Sequence, residues 1–435
     1  MRGGLPEGKP HVYEKYNFQR WEFSNNDMKA TGIVAEFNPL HKGHIYMMKE
    51  ARRITGANAV VIAMSGNFVQ RGEPAILDKW LRTRAALLNG ADLVFEIPTL
   101  FCIQNAGRYA FSGVRMLESL GCVDKICCGC SAGDAEAVRK IADTLMTQRD
   151  VIDACISNEI KNGLSYPAAR EKILSGIMDS EESRDNIKRA LNSPNDILAI
   201  EYMMSAENSE IVCIDRVGAE YNDSFISEAE YQSAGGIREL VKEKGIDSAT
   251  ETMASFLPSE SLEDLKEKSL VFKDDISDYL RFALINTDAE SIDECPSGGE
   301  GLGNLFKEAA LSNNTVEEII AYAKSKRYTY TRLSRLCMQI LLEVDRRAYP
   351  FDAPEYLRLL GFTEKGRQLL SEIKKNETNS LPIITNINKE RLEENSSAER
   401  MLKLDIKASG IYNLICGNDV YANSDYMKTP IMTGY

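Results

Sequence analysis

Four short apolar runs, each followed by a segment with helical spacing, constrain this chain more than any other feature. TGIVAEF (31–37) leads into HIYMMKEARRIT, and AVVIAMSG (59–66) leads through the polar loop NFVQRGEP into DKWLRTRAALLNG (78–90). ADLVFEIP (91–98) stops at Pro98 before RYAFSGVRMLESLG, and VDKICCG closes the series. Strands that are apolar at every position have both faces buried, as in a parallel sheet with helices on two sides. The pattern predicts a Rossmann-like α/β domain, whose ligands bind beyond the carboxyl ends of the strands where strand order reverses. EIVCIDRVG (210–218) adds a strand, and QSAGGIREL (232–240) reads as a loop opening a helix. From about Phe256 the strand signals fade. SLEDLKEKSLVFKDDISDYLRFALI, TVEEIIAYAKSK and RLSRLCMQILLEV have amphipathic helical spacing, so residues 28–255 are expected to form the α/β domain and 256–435 a mainly α-helical one.

Composition narrows the function classes. A hydrophobic content of 43% and a charged content of 27% suit an ordinary soluble protein, and no apolar run is long enough to span a bilayer. Residues 1–27 lack a signal-peptide core and are expected to be a weakly ordered extension ahead of Met28. Ten cysteines with no export signal point to reduced thiols in the cytoplasm. Cys122, Cys127, Cys128 and Cys130 cluster, but no second Cys or His pair follows at zinc-site spacing. They are expected to be core residues, with no metal site. The net charge of −13 means that any nucleic-acid contact needs a local basic patch.

The chain has three histidines, and two of them stand in FNPLHKGH (37–44), at the carboxyl end of the first strand. A helix starting at Gly43-His44 offers free backbone N–H groups and a partial positive charge, suited to phosphate. His41 and His44 can donate hydrogen bonds to phosphate oxygens as charge builds in phosphoryl transfer, and Gly43 removes a Cβ where a nucleotide would lie close. The alternative is that the two histidines only cap a helix.

Asn-Pro-x-His-x-Gly-His after a first strand resembles the HxGH nucleotidyltransferase superfamily. GIVAEFNPLHKGH, MSGNFVQRGEPAILDKWLRTRAALLNGADLVFEIP, SPNDILAIEY, SAGGIR, EGLGNLF, KRYTYTRLSRL, FDAPEYLRLLGFTEKG and ERMLKLDIKASGIYN together resemble one branch of it, the bacterial tRNA(Met) cytidine acetate ligase family. The resemblance implies activation of acetate by ATP to acetyl-adenylate, with transfer of acetyl to N4 of the wobble cytidine of elongator methionine tRNA. It puts ATP against Val34, Ala35, Glu36, Phe37, Asn38, Pro39, Leu40, His41, Lys42, Gly43, His44, Ile45, Tyr46 and Met47, with Gly129, Asn195 and Arg216, and His41 and His44 as the catalytic pair. Mg²⁺ is expected to travel with the triphosphate, without a dedicated protein site. Gly129 also suits a plain turn, and Asn195 an N-cap. Ser233 and Arg238 resemble a second phosphate-contacting motif, with capping by Ser233 the alternative. Lys79 and Arg82, with Arg71, are candidate substrate-facing cations, whereas Arg84 reads as a solvated helix face. One departure stands out: the family usually has Gly-Ser-Glu after the fourth strand, and this chain has Gly129-Cys130-Ser131.

KSKRYTYTRLSR (324–335) is the local basic patch. It carries Lys324, Lys326, Arg327, Arg332 and Arg335 with Tyr328 and Tyr330 and no acid, which suits phosphate contact plus stacking on unpaired bases. The helical half is therefore expected to hold the anticodon loop. Two other readings remain open at this point: an adenylyltransferase acting on a small phosphorylated metabolite, and a catalytically inactive RNA-binding relative.

Overall fold

The computed structural model describes residues 28–130, 135–178, 181–215, 231–390 and 392–434. Its central sheet is built from β1 (Ala30–Ala35), β2 (Ala59–Ser65), β5 (Leu93–Ile97), β6 (Val123–Cys130) and β7 (Glu210–Asp215); β3 (Phe68–Val69) and β4 (Glu73–Pro74) form a separate hairpin. The spatial order β5-β2-β1-β6-β7 is parallel throughout. The chain winds outward from β1 through β2 to β5, then returns to the other side of β1 for β6 and β7. The reversal therefore falls between β1 and β6, where such sheets open a crevice.

Every residue of β2 and β5 is buried. Alternate residues face opposite layers: Val61 and Ala63 join Tyr109, Val114 and Leu117 of α4 (Ala106–Glu118), which follows the short α3 (Thr99–Cys102). Val60, Ile62 and Met64 pack with Met48 and Ala51 of α1 (Lys42–Thr55) and Leu87 of α2 (Lys79–Leu88). A Cβ on Gly113 would come 2.6 Å from Val34 Cγ2, so α4 lies against β1 more closely than any larger residue permits.

Residues beyond 256 are largely helical, as expected, and include Ser259–Glu267, Ser277–Asn286, Leu302–Ser312, Val316–Ala323, Tyr330–Leu341 and Ser397–Ile415. They also supply three strands that the fading signals did not predict: β8 (Leu357–Thr363), β9 (Ile383–Ile384) and β10 (Ile431–Thr433). β8 runs antiparallel beside β5 and carries β9 and β10 as parallel neighbours. The C-terminal half thus covers the open edge of β5, which would otherwise offer unpaired backbone groups. Among the described residues no helix is long and apolar enough to cross a membrane.

Candidate active site

After β1 the chain leaves the strand sharply, with Phe37 at a left-handed φ of 49°. His41 then caps α1. Its Nδ1 accepts from Gly43 N at 3.1 Å, and His44 Nδ1 accepts from His41 N at 3.3 Å. An imidazole nitrogen that accepts carries no proton, so in the neutral rings both protons sit on Nε2. The centroids lie 3.8 Å apart at a 33° tilt, and the edge of Phe37 meets His44 at 5.0 Å. Gly43 is required by this arrangement, because a Cβ there would stand 2.8 Å from His41 Cε1. The glycine therefore makes room for the histidine itself. Capping and a fixed Nε2–H tautomer are two consequences of one geometry.

Both rings line a cleft of about 210 Å³ over the reversal point between β1 and β6. Across it stand Gly129 at the end of β6, Asn195 and Leu198 of the helix Pro194–Ser205, Asp215, Tyr231 and Arg238. Among the described residues two amide nitrogens here are buried without a hydrogen-bond partner, Asn38 Nδ2 and Asn195 Nδ2. Buried donors left unpaired are costly, and both residues line the cleft. Asn195 is not the helix cap, since Ser193 Oγ accepts from Asp196 N at 3.3 Å. Glu36 also faces the cleft, with Oε1 accepting from Gln70 N at 2.8 Å. Burial pushes its carboxyl above the ordinary range against the opposing pull of Arg71.

The profile of the HIGH nucleotidyl transferases matches residues 28–426. A tRNA(Met) cytidine acetate ligase of Clostridium perfringens is 36% identical over 414 residues, covering 93% of this chain and 100% of its own. The ligase of the same name from Acetivibrio thermocellus is 36% identical over 407 residues, covering 91% and 97%. The chain belongs to this ligase family. A crystal structure of Thermotoga maritima TmcAL bound with alpha-thio ATP aligns with a TM-score of 0.82 at 31% identity, covering 93% of this chain and 99% of that one. The apo form aligns at 0.84 and 32%.

Within this cytidine acetate ligase fold, the segment expected to hold ATP divides in two. Val34 to Asn38, His41, Gly43, His44, Tyr46 and Met47 line the cleft, but Pro39, Leu40, Lys42 and Ile45 do not. Leu40 is a core residue, Ile45 packs against the same core, and Lys42 Nζ donates to Ser255 O at 2.6 Å. Arg216 and Ser131 lie outside the described residues. Ser233 is corrected to a cap: it is 1% exposed, accepts from Gly236 N at 2.9 Å and does not line the cleft. Arg238 lines the cleft while donating to Asn38 O at 2.7 Å and to Glu73 at 2.6 Å.

Lys79 and Arg82 are corrected as well. Lys79 Nζ is fully buried against Glu96 and Asp425, at 2.7 and 2.9 Å. Arg82 donates to the carbonyls of Glu36, Ser65, Leu77 and Gly66, clamping together the ends of β1 and β2. It holds the cleft's shape from beneath. Arg71 does line the cleft, as does Gln70 beside it. The family segment around NFVQRGEP was the sequence signal for both.

The basic patch is not a single surface. Lys324, Lys326 and Arg327 are exposed, but Arg327 pairs with Glu300 at 2.7 Å. Arg332 stacks over Tyr328 at 5.2 Å, and Tyr330 donates to Glu317 with Lys273 above its ring. These acids lie outside the patch in sequence, so its isolated charge overstates its field. Arg335 is 9% exposed and turns inward.

Cys122, Cys127, Cys128 and Cys130 are buried, as expected of core residues. The sheet register adds a neighbour that linear spacing concealed. Cys213 pairs with Cys128, and the thiols of Cys128, Cys130 and Cys213 lie within 4.8 Å of one another.

Proposed function

We propose that this chain activates acetate with ATP in the histidine cleft and transfers the acetyl group to N4 of the wobble cytidine of elongator methionine tRNA in the cytoplasm. The observation that carries the reading is the imidazole pair, with both Nε2–H groups fixed by the helix cap, in a cleft that Asn38 and Asn195 also line. Membership of the ligase family supports the acceptor.

In the first half-reaction an acetate oxygen attacks the α-phosphorus of ATP, the bond to the β-phosphate oxygen breaks, and pyrophosphate leaves. Preorganised donors at His41 and His44, added to the amino end of α1, stabilise the charge spreading over the phosphoryl oxygens. Mg²⁺ accompanies the triphosphate as part of the substrate. In the second half-reaction the exocyclic amine attacks the acetyl carbon, the amine loses a proton and AMP departs. No covalent enzyme intermediate is needed.

Glu36 is the group we assign to accept that proton. It faces the cleft among Arg71, Glu73 and Arg238, and its raised pKa improves it as a base. The base form is needed, so transfer is expected to rise with pH through this raised value. Glu36→Gln, which keeps an acceptor for Gln70 N, is expected to flatten that limb and slow transfer by roughly 10²–10⁴-fold. Single-turnover transfer from preformed acetyl-adenylate, followed against pH, checks this; an unchanged profile removes Glu36 from the role.

The reading as a whole is tested with labelled acetate and ATP, with and without tRNA. The expected products are AMP, pyrophosphate and acid-labile acetyl on RNA. AMP joined to a metabolite phosphate would instead indicate an adenylyltransferase, and RNA binding without ATP consumption an inactive relative.

A further inference from the structure

A second cavity, of about 590 Å³, opens beside the nucleotide cleft. Gln70 and Arg71 at the tip of the β3–β4 hairpin, together with Leu198, line both spaces, so the two adjoin at the hairpin tip. The far wall is the first turns of the helix Tyr330–Leu341, and the remaining wall includes the start of Tyr166–Ile177. The volume suits a ligand larger than acetate and lies within the usual range for small-molecule sites of about 300–1,000 Å³.

Arg335 marks what the cavity takes. Its side chain lines the space although the residue is only 9% exposed. Among the described residues its Nε is buried without a hydrogen-bond partner, and the charged groups acting on it are Arg71 and Arg332, both of its own sign. Burial, reinforced by those two, pulls the guanidinium down to about 10. The neighbouring cations differ. Arg332 donates to the Ser297 and Gly298 carbonyls and lies 3.9 Å from Glu300, which pairs more closely with Arg327, and Arg170 pairs with Glu201 at 2.8 Å. A buried guanidinium with two like charges acting on it is unfavourable unless an anion reaches it, and all three arginines line this cavity. The position is also held firmly. Ser334 Oγ donates to Gly72 O at 2.7 Å, and a Cβ on Gly72, at φ +80°, would stand 2.4 Å from Arg335 N.

We propose that this cavity receives one nucleotide of single-stranded RNA, its phosphate seated between Arg335, Arg71 and Arg332 and its base directed toward the shared hairpin wall. The assignment rests on the proposed RNA-acetylating function and adds to it the place where the acceptor enters. A base must leave its stack to enter a cavity, which favours an anticodon loop over a duplex. Tyr166, Pro167, Pro194 and Pro296 offer apolar faces for that base. The two spaces share Gln70, Arg71 and Leu198, so a base at that shared edge can present its amine to the adenylate.

The test uses the full chain with Arg335→Met. Removing an uncompensated buried charge is expected to raise the melting temperature, while acetyl transfer per unit tRNA falls at least tenfold further than acetate-dependent ATP–pyrophosphate exchange does. Arg335→Lys, which keeps the charge and loses the fork, is expected to fall between the two and serves if the methionine variant does not fold. Cytidine 5′-monophosphate is expected to inhibit transfer at least tenfold better than cytidine, with that preference lost in the methionine variant. Equal losses in both half-reactions, or equal inhibition by nucleotide and nucleoside, would overturn the proposal. So would Arg335-dependent binding of pyrophosphate with the RNA arm unaffected, which would make the cavity a product exit. Arg335-dependent binding of a short cytidine-containing oligonucleotide by a protein that never forms acetyl-RNA would instead keep the cavity and remove the ligase reading.

Discussion

His41→Asn is expected to leave the protein folded and slow acetate-dependent ATP–pyrophosphate exchange by roughly 10²–10³-fold, the loss typical of removing one preorganised donor to a developing oxyanion. Asparagine is among the best N-cap residues, so its Oδ1 can replace Nδ1 as acceptor for Gly43 N, and stability should change by no more than about 1 kcal/mol. What it cannot replace is the donor on the far side of the ring. The substitution therefore separates the two roles that the geometry gives one residue. Exchange kinetics and a denaturant titration on the same sample check it. Wild-type exchange with an intact fold would reduce His41 to a helix cap and leave His44 and the asparagine amides to carry the phosphate.

The pair at 41 and 44 was legible in the sequence because its logic is local. Strand, turn and helix follow one another within FNPLHKGH, and capping is decided by residues two and three apart. The parallel sheet was legible for a similar reason, since its strands are apolar on both faces and spaced by helices. Partnerships across the chain were not. Lys79 looked like a free cation on a helix because Asp425 is 346 residues away. Ser233 could cap or bind phosphate on the sequence alone, and only the fold showed its hydroxyl accepting from Gly236 N. The strand Leu357–Thr363 was hidden among helices because its partner, β5, was already assigned to a domain that looked complete. Arg335 shows the reverse effect. In sequence it was one more charge in a basic run, and only the fold turned it into a buried group with no counter-ion among the described residues.

Lys79→Met is expected to cost about 3–5 kcal/mol of stability, the usual loss when one member of a buried ion network is removed, and to leave the KM for ATP of the folded protein unchanged. Lys79 and Arg358 face Glu96 and Asp425 in a four-membered network in which every side chain is 3% exposed or less. The members come from α2, β5, β8 and the turn Asp425–Met427, so the network ties the C-terminal half to the parallel sheet. Without Lys79, two buried carboxylates share one guanidinium. Burial acts to raise the Asp425 carboxyl, but Lys79 and Arg358 overcome it and hold the group well below the ordinary range. A carboxyl depressed on folding adds stability that is complete above its unfolded value of about 3.9 and is lost as pH falls toward the folded value. The methionine variant should therefore lose part of this contribution at neutral pH, and the remaining acid dependence should be smaller. Asp425→Leu added to Lys79→Met leaves Arg358 paired with Glu96, so the double variant is expected to recover much of the loss. Urea titrations of the two single variants and the double, at neutral and acidic pH, measure the coupling. A Lys79→Met protein as stable as the wild type but with a raised KM for ATP would return the lysine to the substrate.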